Sequence, residues 1–168
     1  FANNDVRITT WENETDIRPS LFAIIHESGH ALYEQGVDPR LDRLQIGEGG
    51  GLGGGIGMAM HESQSRLWEN IIGRSEWFWK TYFPQAKQAF KALQAINRQE
   101  FVKAVNVVRP SLVRVEADEV TYGLHIMIRY EIEKDLIAGK IKVRDLPKIW
   151  NAKYQEYLGV TPKNDAEG

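Results

Sequence analysis

Apolar positions along the chain recur mostly at helical spacing, and only one short stretch alternates. Asp5-Val6-Arg7-Ile8-Thr9-Thr10-Trp11 alternates polar and apolar residues with β-branched members, which predicts a short strand near the N-terminus. Asp16 is placed to cap a helix with Pro19 in its first turn. That helix runs through Leu21, Phe22, Ile24 and Ile25 to about Gln35, where Gly36 stops it. A second helix is expected from His61 to Ile72, ended by Gly73. The aromatic run from Trp77 to Phe83 leads through Pro84 into a helix ending near Asn97, and a shorter helix spans about Gln99 to Asn106. Val107 to Val115 reads as extended, because Pro110 disfavours helix in the residue before it. The longest helix is expected from Glu116 to Ala138 with Gly139 as its cap. A last one opens at Asp145 and Pro147 and closes at Leu158-Gly159. The predicted fold is mainly α with a short β element near the N-terminus, residues 1–168 forming a single domain.

Between Glu48 and Met60 the periodicity disappears into glycines, with Leu52, Ile56 and Met58 as the larger residues among them. Each glycine disfavours helix by about 1 kcal/mol relative to alanine, so residues 48–60 read as a Gly-rich loop or linker.

Composition narrows the chemistry. The 168 residues carry a formal net charge of -2, which creates no field to attract nucleic acid or an anionic membrane surface. No apolar run approaches the roughly 20 residues that span a bilayer, and no secretory signal is visible, so a cytoplasmic protein is expected. Cysteine is absent, so a metal would have to be held by histidine and carboxylate. Phe1 and the final Asn164-Asp165-Ala166-Glu167-Gly168 both read as the interior of a longer chain.

His26-Glu27-Ser28-Gly29-His30 falls inside the first predicted helix. Residues four apart share a helix face, so both imidazoles can converge on one ion while Glu27 stands beside the open position as general base for a water. A catalytic zinc usually takes three protein ligands. Glu62, opening the next long helix, is the chosen third, with His61 and His125 as alternatives. Arg66, one turn beyond Glu62, could pair with it or with a substrate carboxylate. Asp118, Tyr122, His125 and Arg129 fall at helical spacing on one face. They form either a solvated polar face or a wall that binds substrate and orients a ligand. Arg114 or Arg109 could fork onto a peptide's terminal carboxylate.

Four segments together resemble the thermostable carboxypeptidase Taq family, the M32 metallocarboxypeptidases: Asp5 to Thr10, His26 to Gln35, His61 to Asn70 and Arg114 to Tyr122. The resemblance covers nearly the whole chain, with the motifs in the family's order and spacing. It implies a mostly helical enzyme that removes single residues from peptides with a free C-terminus. It also implies zinc, or cobalt, held by His26, His30 and Glu62, with Glu27 as base, and a homodimer in the cytoplasm. Family members are much longer, with a helical N-terminal region, an H-P-F motif expected just before Phe1 and a G-x-x-Q motif just after Gly168. The chain is therefore expected to be a catalytic-core fragment, and the glycine segment is longer than the family pattern. Two rivals remain: a silent fragment that only binds metal, and an H-E-x-x-H endopeptidase or aminopeptidase.

Overall fold

The computed structural model describes residues 5–13, 16–38, 40, 57–164 and 166–167. The glycine-rich stretch expected as a loop falls outside these residues from Glu48 to Ile56. The chain forms two compact units, Phe1–Val105 and Asn106–Gly168.

In the first unit, α1 spans Ile17–Gly36, and the Asp16 side chain accepts from the Arg18 N–H at its start. One stripe of α1 carries Phe22, Ile25, Gly29 and Tyr33. Phe22 and Gly29 on that stripe are buried. The next helix, α2, spans Gly57–Arg66, so Gly57 to Met60 are helical where a loop was expected. Packing against α1 here outweighs the weak helix preference of glycine. The helix continues as a π-helical turn, Leu67–Ile72, whose wider winding closes with the Gly73 N–H donating to the Trp68 carbonyl at 2.8 Å.

Ser75 caps α3, Glu76–Ala89, its hydroxyl accepting from the Phe78 N–H. Pro84 was expected to lead into this helix, yet it lies inside it. An interior proline costs about 3 kcal/mol. Trp79 and Phe83 on the same helix are buried against Phe101, each burial contributing about 1.5–3 kcal/mol. The helix also stops short of Asn97, giving way to a 3-10 turn at Lys91–Ala95 before α4, Arg98–Val105. Phe22, Trp79, Phe83, Leu93, Phe101 and Val105 form the core of this unit.

The second unit pairs α5, Tyr122–Ile137, with α6, Leu146–Leu158, around Ile128, Ile132, Tyr154 and Leu158. The long helix expected from Glu116 begins only at Tyr122. Arg114–Glu116 is a separate 3-10 turn, and Asp118 accepts from the N–H groups of Val120 and Thr121. A side chain that takes two backbone donors ahead of a helix opens it at that point and not upstream. Gly159 closes α6 at φ 70°, a left-handed position that glycine occupies without strain.

The N-terminal β element is not borne out. Asp5 carries an isolated bridge and residues 6–13 are irregular. Alternation favours a strand only where a partner supplies the ladder, and no strand exists among the described residues. Instead Arg7 folds back onto Asp5 through paired hydrogen bonds. No helix among the described residues is long and apolar enough to cross a membrane.

Candidate metal centre

The apolar stripe of α1 that begins at Phe22 turns polar at its C-terminal half, where His26, His30 and Glu34 succeed one another a turn apart. The two imidazoles stand edge to face with centroids 4.9 Å apart. Across from them α2 brings Glu62. Its Oε2 lies 3.6 Å from His26 Nε2 and 3.3 Å from His30 Nε2.

This approach depends on Gly29. A Cβ built there would lie 2.6 Å from Ser65 Cα and 2.9 Å from the Gln64 carbonyl oxygen, so α1 and α2 cross backbone to backbone at this position. The bare glycine between the histidines therefore sets how near Glu62 can come. Ser65, fully buried at the crossing, donates its hydroxyl to the Glu62 carbonyl at 2.8 Å.

His26, His30 and Glu62 form a group whose donor atoms all lie within 4.8 Å of one another, the one such group among the described residues. Neither His61 nor His125, the alternative third ligands, belongs to it. Two imidazole nitrogens and a carboxylate oxygen, with no thiolate, make a donor set suited to zinc and to other borderline divalent cations. The residues present fit such an ion.

Their charge states suit it as well. Burial pushes the Glu62 carboxyl up, but the Arg66 hydrogen bond and the His26, Arg66 and His30 charges outweigh it and hold it below its ordinary value. Burial lowers His30, helped by the charges of His26 and His61, so it favours the neutral form that can coordinate. Glu27 is half-buried on α1 and acts electrostatically on His30. No hydrogen bond or ion pair occupies its carboxylate among the described residues.

Around this group runs a polar network; the sequence pointed to its Arg66–Glu62 pair but not to Glu69, His61 and Glu34 as partners of the two histidines. His26 Nδ1 is 2.9 Å from Glu69 Oε2, on the π-helical turn. His30 Nδ1 is 2.5 Å from His61 Nδ1, and His61 Nε2 is 2.6 Å from Glu34 Oε1. His61 is buried under the Tyr33 ring. Arg66 spans two carboxylates, with Nε to Glu62 Oε1 at 3.0 Å and Nη1 to Glu69 Oε2 at 2.9 Å. The one available signal was periodic: Glu34 lies one turn past His30 on the same α1 face.

The remaining expected site residues belong to the second unit. Arg114 donates from Nη1 to the Tyr122 hydroxyl at 2.6 Å. Arg109 gives its backbone N–H to Asp118, which stands ahead of α5 and so does not share a helical face with Tyr122 and His125. His125 is wholly buried, with Nδ1 3.1 Å from the Tyr154 hydroxyl. Arg129 Nη1 donates to the His125 carbonyl at 3.0 Å.

Comparison with known proteins places these features in context. The family described as carboxypeptidase Taq (M32) metallopeptidase matches residues 1–168. Carboxypeptidase 1 of Bacillus subtilis is 49% identical over 165 residues, covering 98% of this chain and 32% of the relative. Among solved structures, the M32 carboxypeptidase from Deinococcus radiodurans R1 superposes with a TM-score of 0.89 at 46% identity, covering 99% of this chain and 33% of that one. The Pyrococcus furiosus carboxypeptidase does so with a TM-score of 0.90 at 38% identity, over 99% and 32%. The chain thus spans about a third of the length of the relatives it matches.

Proposed function

Because the chain belongs to the carboxypeptidase Taq (M32) family of metallopeptidases, we propose that it carries the metal-holding and water-activating centre of a metallocarboxypeptidase acting on peptides with a free C-terminus. The observation that carries this reading is the convergence of His26 Nε2, His30 Nε2 and Glu62 Oε2 across the Gly29 crossing. These three residues would hold the ion, with zinc as the first choice and cobalt as a substitute. When bound, the ion supplies Lewis acidity, polarising a carbonyl and making a water easier to deprotonate near neutral pH.

The chain's own residues do the rest. Glu27, unengaged beside the histidines, takes a proton from the attacking water and returns it to the leaving amine. Arg66 keeps Glu62 ionised and turned by holding Oε1, which leaves Oε2 facing the histidines. Arg114, its guanidinium steadied by the Tyr122 hydroxyl, is the candidate to grip the substrate's terminal carboxylate, with exposed Arg109 as a second. His125, buried on Tyr154, serves packing in this reading.

The test pairs peptides with free and amidated C-termini. A carboxypeptidase cleaves the first and leaves the second intact, whereas equal cleavage of both would point to the endopeptidase or aminopeptidase alternative. Stoichiometric zinc without hydrolysis of either would favour the reading of a chain that only binds metal. Homodimerisation and a cytoplasmic location remain part of the proposal, to be checked by light scattering and fractionation.

A further inference from the structure

The hydrogen bonds on the outer side of the two histidines admit a simple proton count. A carboxylate can only accept, so His26 Nδ1, 2.9 Å from Glu69 Oε2, carries a proton. By the same rule His61 Nε2, 2.6 Å from Glu34 Oε1, carries one. A neutral imidazole has a single N–H, which leaves His61 Nδ1 as a bare acceptor. His30 Nδ1, 2.5 Å away, is then the donor of that bond. With all three imidazoles neutral, both counts end alike: His26 and His30 keep their protons on Nδ1, and each Nε2 is a bare lone pair. In that state the two lone pairs and Glu62 Oε2 face one another at 3.6 and 3.3 Å, an arrangement that a bound cation relieves.

We propose that Glu69 and the His61–Glu34 pair are positioning residues that fix the tautomer and ring orientation of His26 and His30, so that both Nε2 atoms present lone pairs to one divalent cation. This rests on the metal-holding role given above to His26 and His30. The two arms differ in anchorage. Glu69 is gripped by Arg66 and, at 3.5 Å, by Arg74. The Arg74 guanidinium lies 3.9 Å over the buried Phe22 ring and bonds the Val105 carbonyl at 2.6 Å, tying this arm to the aromatic core. The other arm is a relay of two side chains, His61 held under Tyr33 and Glu34 at the end of α1.

The experiment measures zinc affinity of the full chain by competition with a chelator, for matched variants on each arm. Glu69→Gln and His61→Asn each keep an acceptor for the ligand histidine's N–H. Glu69→Ala and His61→Phe remove it. Loss of an orienting partner typically weakens metal affinity 10–100-fold, so Ala and Phe should fall by that factor while Gln and Asn keep most of the affinity. A packing role predicts the reverse order at His61, because the phenyl ring fills the imidazole's space and asparagine does not. Wild-type affinity in His61→Phe and Glu69→Ala would overturn the proposal. Should a variant fail to fold, long-range proton–nitrogen NMR on the unaltered metal-free protein reads the tautomers directly. Nδ1–H on both His26 and His30 supports the proposal, and Nε2–H on either overturns it. Failure of the unaltered protein to take up zinc would instead remove the metal-holding role itself, whatever the tautomers.

Discussion

The two units each bury a histidine on a helix facing another helix, and they use it in opposite ways. His61 in the first unit is engaged at both nitrogens, between His30 and Glu34. His125 in the second is more deeply buried, reaches the Tyr154 hydroxyl through Nδ1, and has no partner for Nε2 among the described residues. The first sits in a network of three carboxylates and two arginines that leads to an open donor set. The second sits beside an apolar cluster of Ile128, Ile132 and Tyr154. Residue type and burial therefore do not identify functional chemistry. What separates the two is whether the hydrogen bonds around an imidazole lead to carboxylates and a second imidazole, as at His61, or end at a phenol and an arginine, Tyr154 and Arg129, as at His125.

The sharpest break of this contrast is Glu27→Gln. A general base contributes typically 10²–10⁴ in rate, so kcat/KM on a free-ended peptide should fall by about that factor while zinc affinity stays unchanged. The same substitution idea applied to His125 (His125→Gln) should lower thermal stability and leave zinc affinity of the first unit alone. Near-normal turnover in Glu27→Gln would remove the assigned base.

Next in size are two glycines compared. Gly29→Ala forces a Cβ to 2.6 Å from Ser65 Cα, and such overpacking costs about 1–3 kcal/mol. Denaturant unfolding should report that loss, and zinc affinity should drop with it because the crossing sets the reach of Glu62. Gly123→Ala in α5 meets nothing within 4 Å and should stabilise by up to about 1 kcal/mol. Equal effects at the two positions would mean that the Gly29 crossing is not tight.

Smallest is the acid dependence at Asp118. Burial pushes its carboxyl up, but the N–H groups of Thr121, Arg109 and Val120 and the Thr121 hydroxyl outweigh this and hold it below its ordinary 3.8. A carboxylate depressed in the folded state adds stability that is fully present above the unfolded value. That stability is lost as pH falls from there through the folded value. The stability difference between wild type and Asp118→Asn should therefore be constant at neutral pH and shrink below about pH 4. Replacement by alanine should cost about 1 kcal/mol, the usual worth of such a cap. A difference that does not change between pH 6 and pH 3 would sink this account.

Sequence alone determined what depends on neighbours a few residues away. The Asp16 start, the Gly36 and Gly159 stops and the His26–His30 pair on one α1 face are set by local hydrogen bonding and the 3.6-residue period, which are written in consecutive residues. The same local rules failed where distant packing outvoted them: at Pro84, carried through α3 by its buried aromatics, and at Asp5 to Trp11, where no ladder partner exists among the described residues. Tertiary structure decided who surrounds the ligands. His26 finds Glu69 across 43 positions and His61 finds Glu34 across 27. Those partners are chosen by the angle and closeness of two helices at Gly29, and no periodicity along one helix carries that information.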